Sequence, residues 1–336
     1  MSRHRPLRVP AAVCWLLAGA AILTGCGTST PTAEATPPPA APTVTTAQAA
    51  AVVKAYDQQN NAVNAAYDEA GLTGIETPPL RTSSQALMTI SKTLRQRIPR
   101  ITSTAAHFVI PAQRGYPRWF LSISQRVIGG VPAPQLTYDI YYQETPADHF
   151  LAAFALTPTE QETVGPFALN SAGAATSVSS GAGLLLAPTD LGRAITSHYV
   201  RGLRGKDGFA YSAPLDDVLG NGFVLGRQAL GSRGVTLTRA VSSVAPQVFA
   251  LRTADGGVVA FTAVTVTDRL VAKTAKATAS LRAGSNDAAL LGKPAGATAG
   301  SFTIDRLEMF MTYIPTKASG TKAKVLAYSE TGVSVK

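Results

Sequence analysis

The sequence predicts an α+β fold in two tandem domains, each with helices packed on a curved antiparallel sheet. Three observations predict it. Apolar residues recur at helical spacing over 47–70 and again over 84–97. From Phe108 the apolar period changes from 3.6 to 2, and turn residues separate the alternating runs. After Pro188 the same order of elements begins again.

In the first helix Val52, Tyr56, Val63 and Tyr67 share one face, Ala fills the positions between, and Gly71 supplies the stop. A second helix spans Ser84 to Arg97, with Leu87, Ile90, Leu94 and Ile98 on one side and Pro99 ending it. Phe108-Val109-Ile110 starts a strand, and Gln113 to Pro117 makes a turn. The strand Trp119–Ile128 then sets Phe120, Ser122 and Ser124 opposite Trp119, Leu121 and Ile123. After Gly129-Gly130, Leu136, Tyr138, Ile140 and Tyr142 alternate with Thr137, Asp139, Tyr141 and Gln143. A turn at Thr145–Asp148 leads to Phe150–Leu156. Such alternation describes hairpin-linked strands with one buried face.

Residues 47–164 therefore form a first domain, and the Gly, Ala and Ser rich stretch 165–188 a connector, whose Leu184-Leu185-Leu186 is apolar enough to pack. The second domain, 189–336, opens with a helix capped by Thr189 or Asp190 and running to Leu203. A further helical stretch follows near Leu215–Leu230. Strands are expected at Gln247–Thr253 and Val258–Thr267 around the turn Ala254-Asp255-Gly256-Gly257, then at Phe302–Ile314 and Lys322–Ser329. An Ala, Lys and Gly rich insertion, 270–300, interrupts this half. Each half reads helix, helix, hairpin, connection, hairpin, a candidate internal duplication.

The N-terminus carries a different signal. Arg3, Arg5 and Arg8 precede an apolar run, Val9 to Leu23, too short for the roughly 20 residues that span a bilayer. It closes on Leu23-Thr24-Gly25-Cys26, which resembles a bacterial lipobox. The resemblance implies a signal peptide 1–25, cleavage between Gly25 and Cys26, and a lipid on the Cys26 thiol. The other cysteine, Cys14, lies within the signal, so the mature chain would have no free thiol for disulfides or Cys-ligated metals. Residues 26–46, rich in Pro, Thr and Ala, read as a disordered tether reaching about 60 Å when stretched. Export to the outer face of the cytoplasmic membrane follows.

The chain has 30 Lys and Arg against 20 Asp and Glu; losing three signal arginines leaves a mature excess of +7. That charge is dispersed, without an aromatic-interleaved basic stripe, which argues against nucleic acid and is compatible with anionic headgroups or anionic wall polymer.

Searching for chemistry finds little. His107, His149 and His198 lie 40 to 50 residues apart with no metal-ligand spacing, so no metal or cofactor is expected. Ser319-Gly320-Thr321-Lys322 matches S-x-x-K but falls in a hairpin turn, not at the helix start that this chemistry needs. Gly202-Leu203-Arg204-Gly205-Lys206 lacks phosphate-loop spacing, and Asp216-Asp217 and Asp68-Glu69 are adjacent pairs that diverge on helices. Asp57, beside Tyr56, is expected at the solvent. Binding fits better: Arg114, Tyr116, Arg118 and Trp119 gather in one turn, with Trp119 either joining that surface or folding into the core. Tyr138, Tyr141 and Tyr142 read as core and sheet face.

Helices followed by a curved four-stranded antiparallel sheet resemble the NTF2-like and cystatin-like α+β cone, and the whole chain resembles the lipoproteins that actinobacteria export. The first resemblance implies a helix-over-sheet cavity in each half, bordered by the long first helix, with an inward-facing Asp57 as the alternative to its exposure at the solvent. The resulting expectation is a non-catalytic envelope lipoprotein that binds or scaffolds envelope proteins, wall polymer or a small apolar ligand. The alternatives are a hydrolase whose site assembles only in three dimensions and a solute-binding lipoprotein.

Overall fold

Two antiparallel sheets packed face to face form the centre of the computed structural model. It describes residues 40–159, 162–200, 208–210 and 222–336, which belong to one compact unit, Pro39–Lys336. The signal peptide, Gly25, Cys26, the tether as far as residue 39, Gly202–Lys206 and Asp216-Asp217 lie outside the described residues, as does the His198 side chain.

The first sheet runs β1 (Ile101–Val109), β2 (Arg118–Ile128), β3 (Val131–Gln143) and β4 (Leu151–Leu156) in chain order, each antiparallel to the next. Helices α1 (Thr46–Ala66) and α2 (Leu80–Thr93) precede it. In the second half α3 (Leu191–Val200) and α4 (Gly222–Ser232) come before β5 (Val235–Val244), β6 (Phe249–Arg252) and β7 (Val258–Ala272). The insertion supplies β8 (Ala279–Leu281), α5 (Asn286–Leu290) and β9 (Ala297–Ala299), and β10 (Ser301–Ile314) and β11 (Lys324–Val335) complete the sheet. Its order is β11-β10-β7-β5, with β6 also on β7. Because β5 pairs with the later part of β7 and β6 with the earlier part, the two make one broken edge. The α+β class is as read from the sequence, with strands predominating.

Local chemistry explains the helix boundaries. Thr45 and Gln48 form a reciprocal capping box, with Gln48 N donating to Thr45 Oγ1 at 3.1 Å and Thr45 N to Gln48 Oε1 at 2.8 Å. Helix α1 stops earlier than the Gly71 signal suggested, because Tyr67 itself takes a left-handed φ of 51°. Helix α2 begins one turn before the expected start, directly after Pro79, where a missing N–H costs nothing. Its inward side is consequently Leu80, Ser83, Met88 and Ile90, and Leu87 is 47% exposed. Ahead of α1, Thr43 donates to Pro111 O, Val44 is buried, and Asn170 holds Ala40 O. The last residues of the expected tether are thus docked on the fold.

Packing follows the period of two. On β2 and β3, Trp119, Leu121, Ile140 and Tyr142 turn to one face, toward the second sheet. There Phe249 meets Trp119, Tyr142 and Phe154 with ring centroids 5.2 to 5.9 Å apart, and Phe154 also meets Phe261. Val259, Ala263, Met309, Met311 and Ala327 complete this shared core. The opposite face of the second sheet, with Val258, Ala260, Val264 and Phe310, receives Leu191 and Ile195 of α3. The layers therefore run helix, sheet, sheet, helix. Helix α2 also ties the halves, through a 2.7 Å hydrogen bond between Ser83 and Thr331. The connector 165–188 is pinned by bridges from Phe167, Ser177 and Leu184 to Thr253, Leu251 and Thr316, and Leu184 is buried.

Candidate functional site

The remaining face of the first sheet looks toward α1, and it is polar where a sheet under a helix is ordinarily apolar. Ser122, Ser124 and Arg126 of β2 stand beside Thr137, Asp139 and Tyr141 of β3, and all six are buried. Above them α1 turns Tyr56, Asp57 and Asn60 inward. The residues after the short 3-10 turn Gly71–Gly74 contribute Glu76, only 1% exposed, whose backbone bridges to Ala152 at the sheet edge.

Arg126 organises this layer. Its guanidinium donates to Asp139 Oδ1 at 2.7 Å and to Asp57 Oδ1 at 3.4 Å. Asp57 also accepts from the backbone N–H and hydroxyl of Ser103, which ties α1 to β1. The expectation of a solvent-facing Asp57 is therefore corrected: it is 7% exposed because β2 places a cation beneath it. Burial pushes the Asp139 carboxyl up, and Arg126 pulls it only partly back.

Beside this triad, Tyr56 donates to Glu76 Oε1 at 2.7 Å. Burial raises the Glu76 carboxyl above the usual range, against the opposing pull of Ser84, Tyr56 and Arg81. Burial likewise raises the phenols of Tyr56 and Tyr141 well above their ordinary value. Five buried polar atoms in this layer have no hydrogen-bond partner: Glu76 Oε2, Ser122 Oγ, Ser124 Oγ, Asp139 Oδ2 and Tyr141 OH. Buried polar atoms are ordinarily paired, so this concentration sets the layer apart from an ordinary sheet face under a helix.

A cavity of about 480 Å³ opens onto part of this layer between α1, α2 and the sheet. Tyr56, Asn60, Glu76 and Arg126 form its polar end, and Leu80, Leu87, Met88, Ile98 and Ile128 supply apolar wall. Its size falls within the range of small-molecule sites, and so does its makeup of apolar wall with few convergent polar groups.

The turn singled out in the sequence is organised differently. Arg118 stacks over the Tyr116 ring at 4.4 Å, and Arg114 is exposed beside them. Trp119 leaves the group: it is 6% exposed and lies against Phe249 in the seam. Tyr138, Tyr141 and Tyr142 are buried, with Tyr141 stacked on Phe120. His149 reaches Gly74 O, and Ser319 begins no α-helix but sits in a 3-10 turn. Among the described residues no group of three or more His, Cys, Asp or Glu is arranged to hold a metal. Sequence reasoning passed over Glu76 and Arg126. The available signal was Ser122, Ser124 and Arg126 recurring every second residue on a strand whose other face is apolar.

A second buried charge cluster braces the other sheet. Arg239 makes a two-pronged contact with Asp268 at 2.7 and 2.8 Å, and Arg306 joins Asp268, Asp287 and Glu330. Glu308 lies beside them, 3% exposed, with Oε1 unpartnered. Its carboxyl is pushed up to about 7, by burial first.

Fold and site together define an α+β protein with a polar-floored, ligand-sized pocket under its first helix. A family model described as a domain of unknown function, DUF8094, matches residues 40–336, and the chain belongs to that family. No curated protein and no solved structure matches it.

Proposed function

We propose that this chain is an exported lipoprotein, anchored through Cys26 on the outer face of the cytoplasmic membrane, that binds a small, largely apolar molecule without transforming it. One observation carries the binding reading: the 480 Å³ cavity with apolar wall and Tyr56, Glu76 and Arg126 at its polar end. The residues Leu23-Thr24-Gly25-Cys26 support the anchor. Helices beside an antiparallel sheet in each half, four-stranded in the first and five-stranded in the second, support a duplicated NTF2-like or cystatin-like ancestry. Residues 40–44 dock beside Pro111, close in sequence to the Arg114–Arg118 turn, so the chain leaves the fold near a basic, aromatic loop suited to anionic headgroups.

An uncharged dye such as N-phenyl-1-naphthylamine tests the pocket. Its fluorescence should rise on mixing with the protein, and Ser91→Trp, which fills the lining from a half-exposed position on α2, should weaken binding about tenfold. Equal binding by a folded Ser91→Trp variant would remove the pocket as the site. A second reading, an envelope hydrolase, draws on one observation: a buried carboxyl with raised proton affinity is also what general acid–base chemistry uses. Turnover of an ester or glycoside that disappears in Glu76→Gln would favour it.

A further inference from the structure

The cavity opens at one end of the first sheet, and that end is built unlike the rest of the surface. Resting on the anchor and the pocket proposed above, we infer that it docks on an anionic bilayer, so that the cavity opens onto lipid and takes its ligand from there. Of the residues lining the cavity, the exposed ones are Leu87, Gln96, Arg97, Pro99 and Ile128. They place the mouth between α2, the loop 94–100 that follows it, and the tip of the β2–β3 hairpin.

Loop and hairpin form one surface. Gly129 N donates to Arg100 O at 2.8 Å, and Tyr67 at the end of α1 donates to Gln96 O at 2.6 Å. Gly129 and Gly130, with φ of 60° and 90°, make a tight turn that sets Ile128 against Val131 at the tip. These two are 42% and 68% exposed, an aliphatic tip turned to solvent. Beside it stand Lys92, Arg95, Arg97 and Arg100, all exposed, and none makes an ion pair among the described residues. The acids on these elements are Asp68 and Glu69 after α1, which leaves two cations in excess. Aliphatic residues beside unpaired cations match a layer of anionic headgroups over acyl chains, whereas a wall polymer has no use for the aliphatic tip.

The other end of the sheet is electrically balanced. Arg114 and Arg118 are offset by Glu144 and Asp148, which lie next to Gln143, the residue paired with Arg118. The chain enters the fold at that end, where Thr43 meets Pro111, and α1 spans about 32 Å from there to the mouth. Residues 26–39 are long enough to reach about 43 Å at about 3.1 Å per residue, so a lipid on Cys26 lets the mouth face the membrane.

The test uses the mature chain from Gly27 onward, which lacks the apolar run and the lipid but keeps the whole unit Pro39–Lys336. At low salt it should sediment with vesicles of phosphatidylcholine and phosphatidylglycerol in equal parts, and not with phosphatidylcholine alone. Arg95→Gln combined with Arg100→Gln, both outside the cavity lining, should weaken this binding about thirtyfold, from about fivefold per cation, and leave dye binding intact. Val131→Trp should shift its emission to the blue on the mixed vesicles only, read against Trp119, which is buried. Equal sedimentation with both vesicles, none with either, or an emission that vesicles leave unchanged would overturn the docking face. Loss of binding from Arg114→Gln with Arg118→Gln, in place of the mouth pair, would do the same. Dye binding on the same samples reports the pocket separately, and its absence would sink that reading alone. No lipid is on the protein, so the anchor does not enter the result.

Discussion

Arg126 is the residue on which the first half depends. Its charge is acceptable inside the protein only because Asp57 and Asp139 surround it, and theirs only because of Arg126. Removing one partner from such a set leaves uncompensated buried charge, which costs about 3–5 kcal/mol, more than the pair contributes net. Arg126→Met should lower stability by that amount in urea unfolding, whereas Arg118→Met, an exposed-turn change, should move it by less than about 0.5 kcal/mol. An equal effect from both would show that the triad is dispensable. This scale was the least legible from sequence. Helical spacing puts Tyr56 and Asp57 on known sides of α1, but not which strand residue lies below them. A carboxylate opposite water and one opposite a guanidinium read identically.

Among elements, β10 carries the clearest consequence. It places Glu308 among Arg239, Asp268 and Glu330, where burial lifts the carboxyl to about 7. A folded-state value above the unfolded one means that the native protein holds this proton more tightly. The stabilising contribution is therefore whole below about pH 4.5 and is lost as pH climbs to about 7, a change on the order of 3 kcal/mol. Glu308→Gln should melt near the parent temperature at pH 4 and several degrees above it at pH 8. A constant offset at both values would refute the assignment. Elements differ in how well sequence displays them. Strands β2 and β3 alternate because one face meets the second sheet and the other the polar layer under α1, whereas β7, covered on both faces, opens as a near-continuous apolar run. Edge strands show neither pattern: only the end of β1 was legible, and β5 not at all, since its Thr236, Thr238, Ser242 and Ser243 include solvent-facing positions that look like a loop.

For the whole molecule, the decisive feature is the seam between the sheets. Phe249 touches Trp119, Tyr142 and Phe154, so the second half completes the core of the first. Residues 47–164 expressed alone would expose these rings, a patch large enough to associate. That fragment should be poorly soluble and bind hydrophobic dyes, while the full chain should unfold in one calorimetric transition. Two separate transitions would mean that the halves are independent after all.

Sequence by itself determined the repertoire: two leading helices, antiparallel hairpins, and a composition without metal-ligand spacing or a recognisable nucleophile motif. Those are local properties, set by periodicity, turn chemistry and caps within a dozen residues. Only the tertiary structure decided which faces meet, and hence that Trp119 is core, that Asp57 is buried, and that Tyr56, Glu76 and Arg126 share a cavity. These three lie as much as 70 residues apart in the chain. The physical reason is that alternation tells a strand it has two faces but not what will cover each one. That is settled only when the sheets and helices pack.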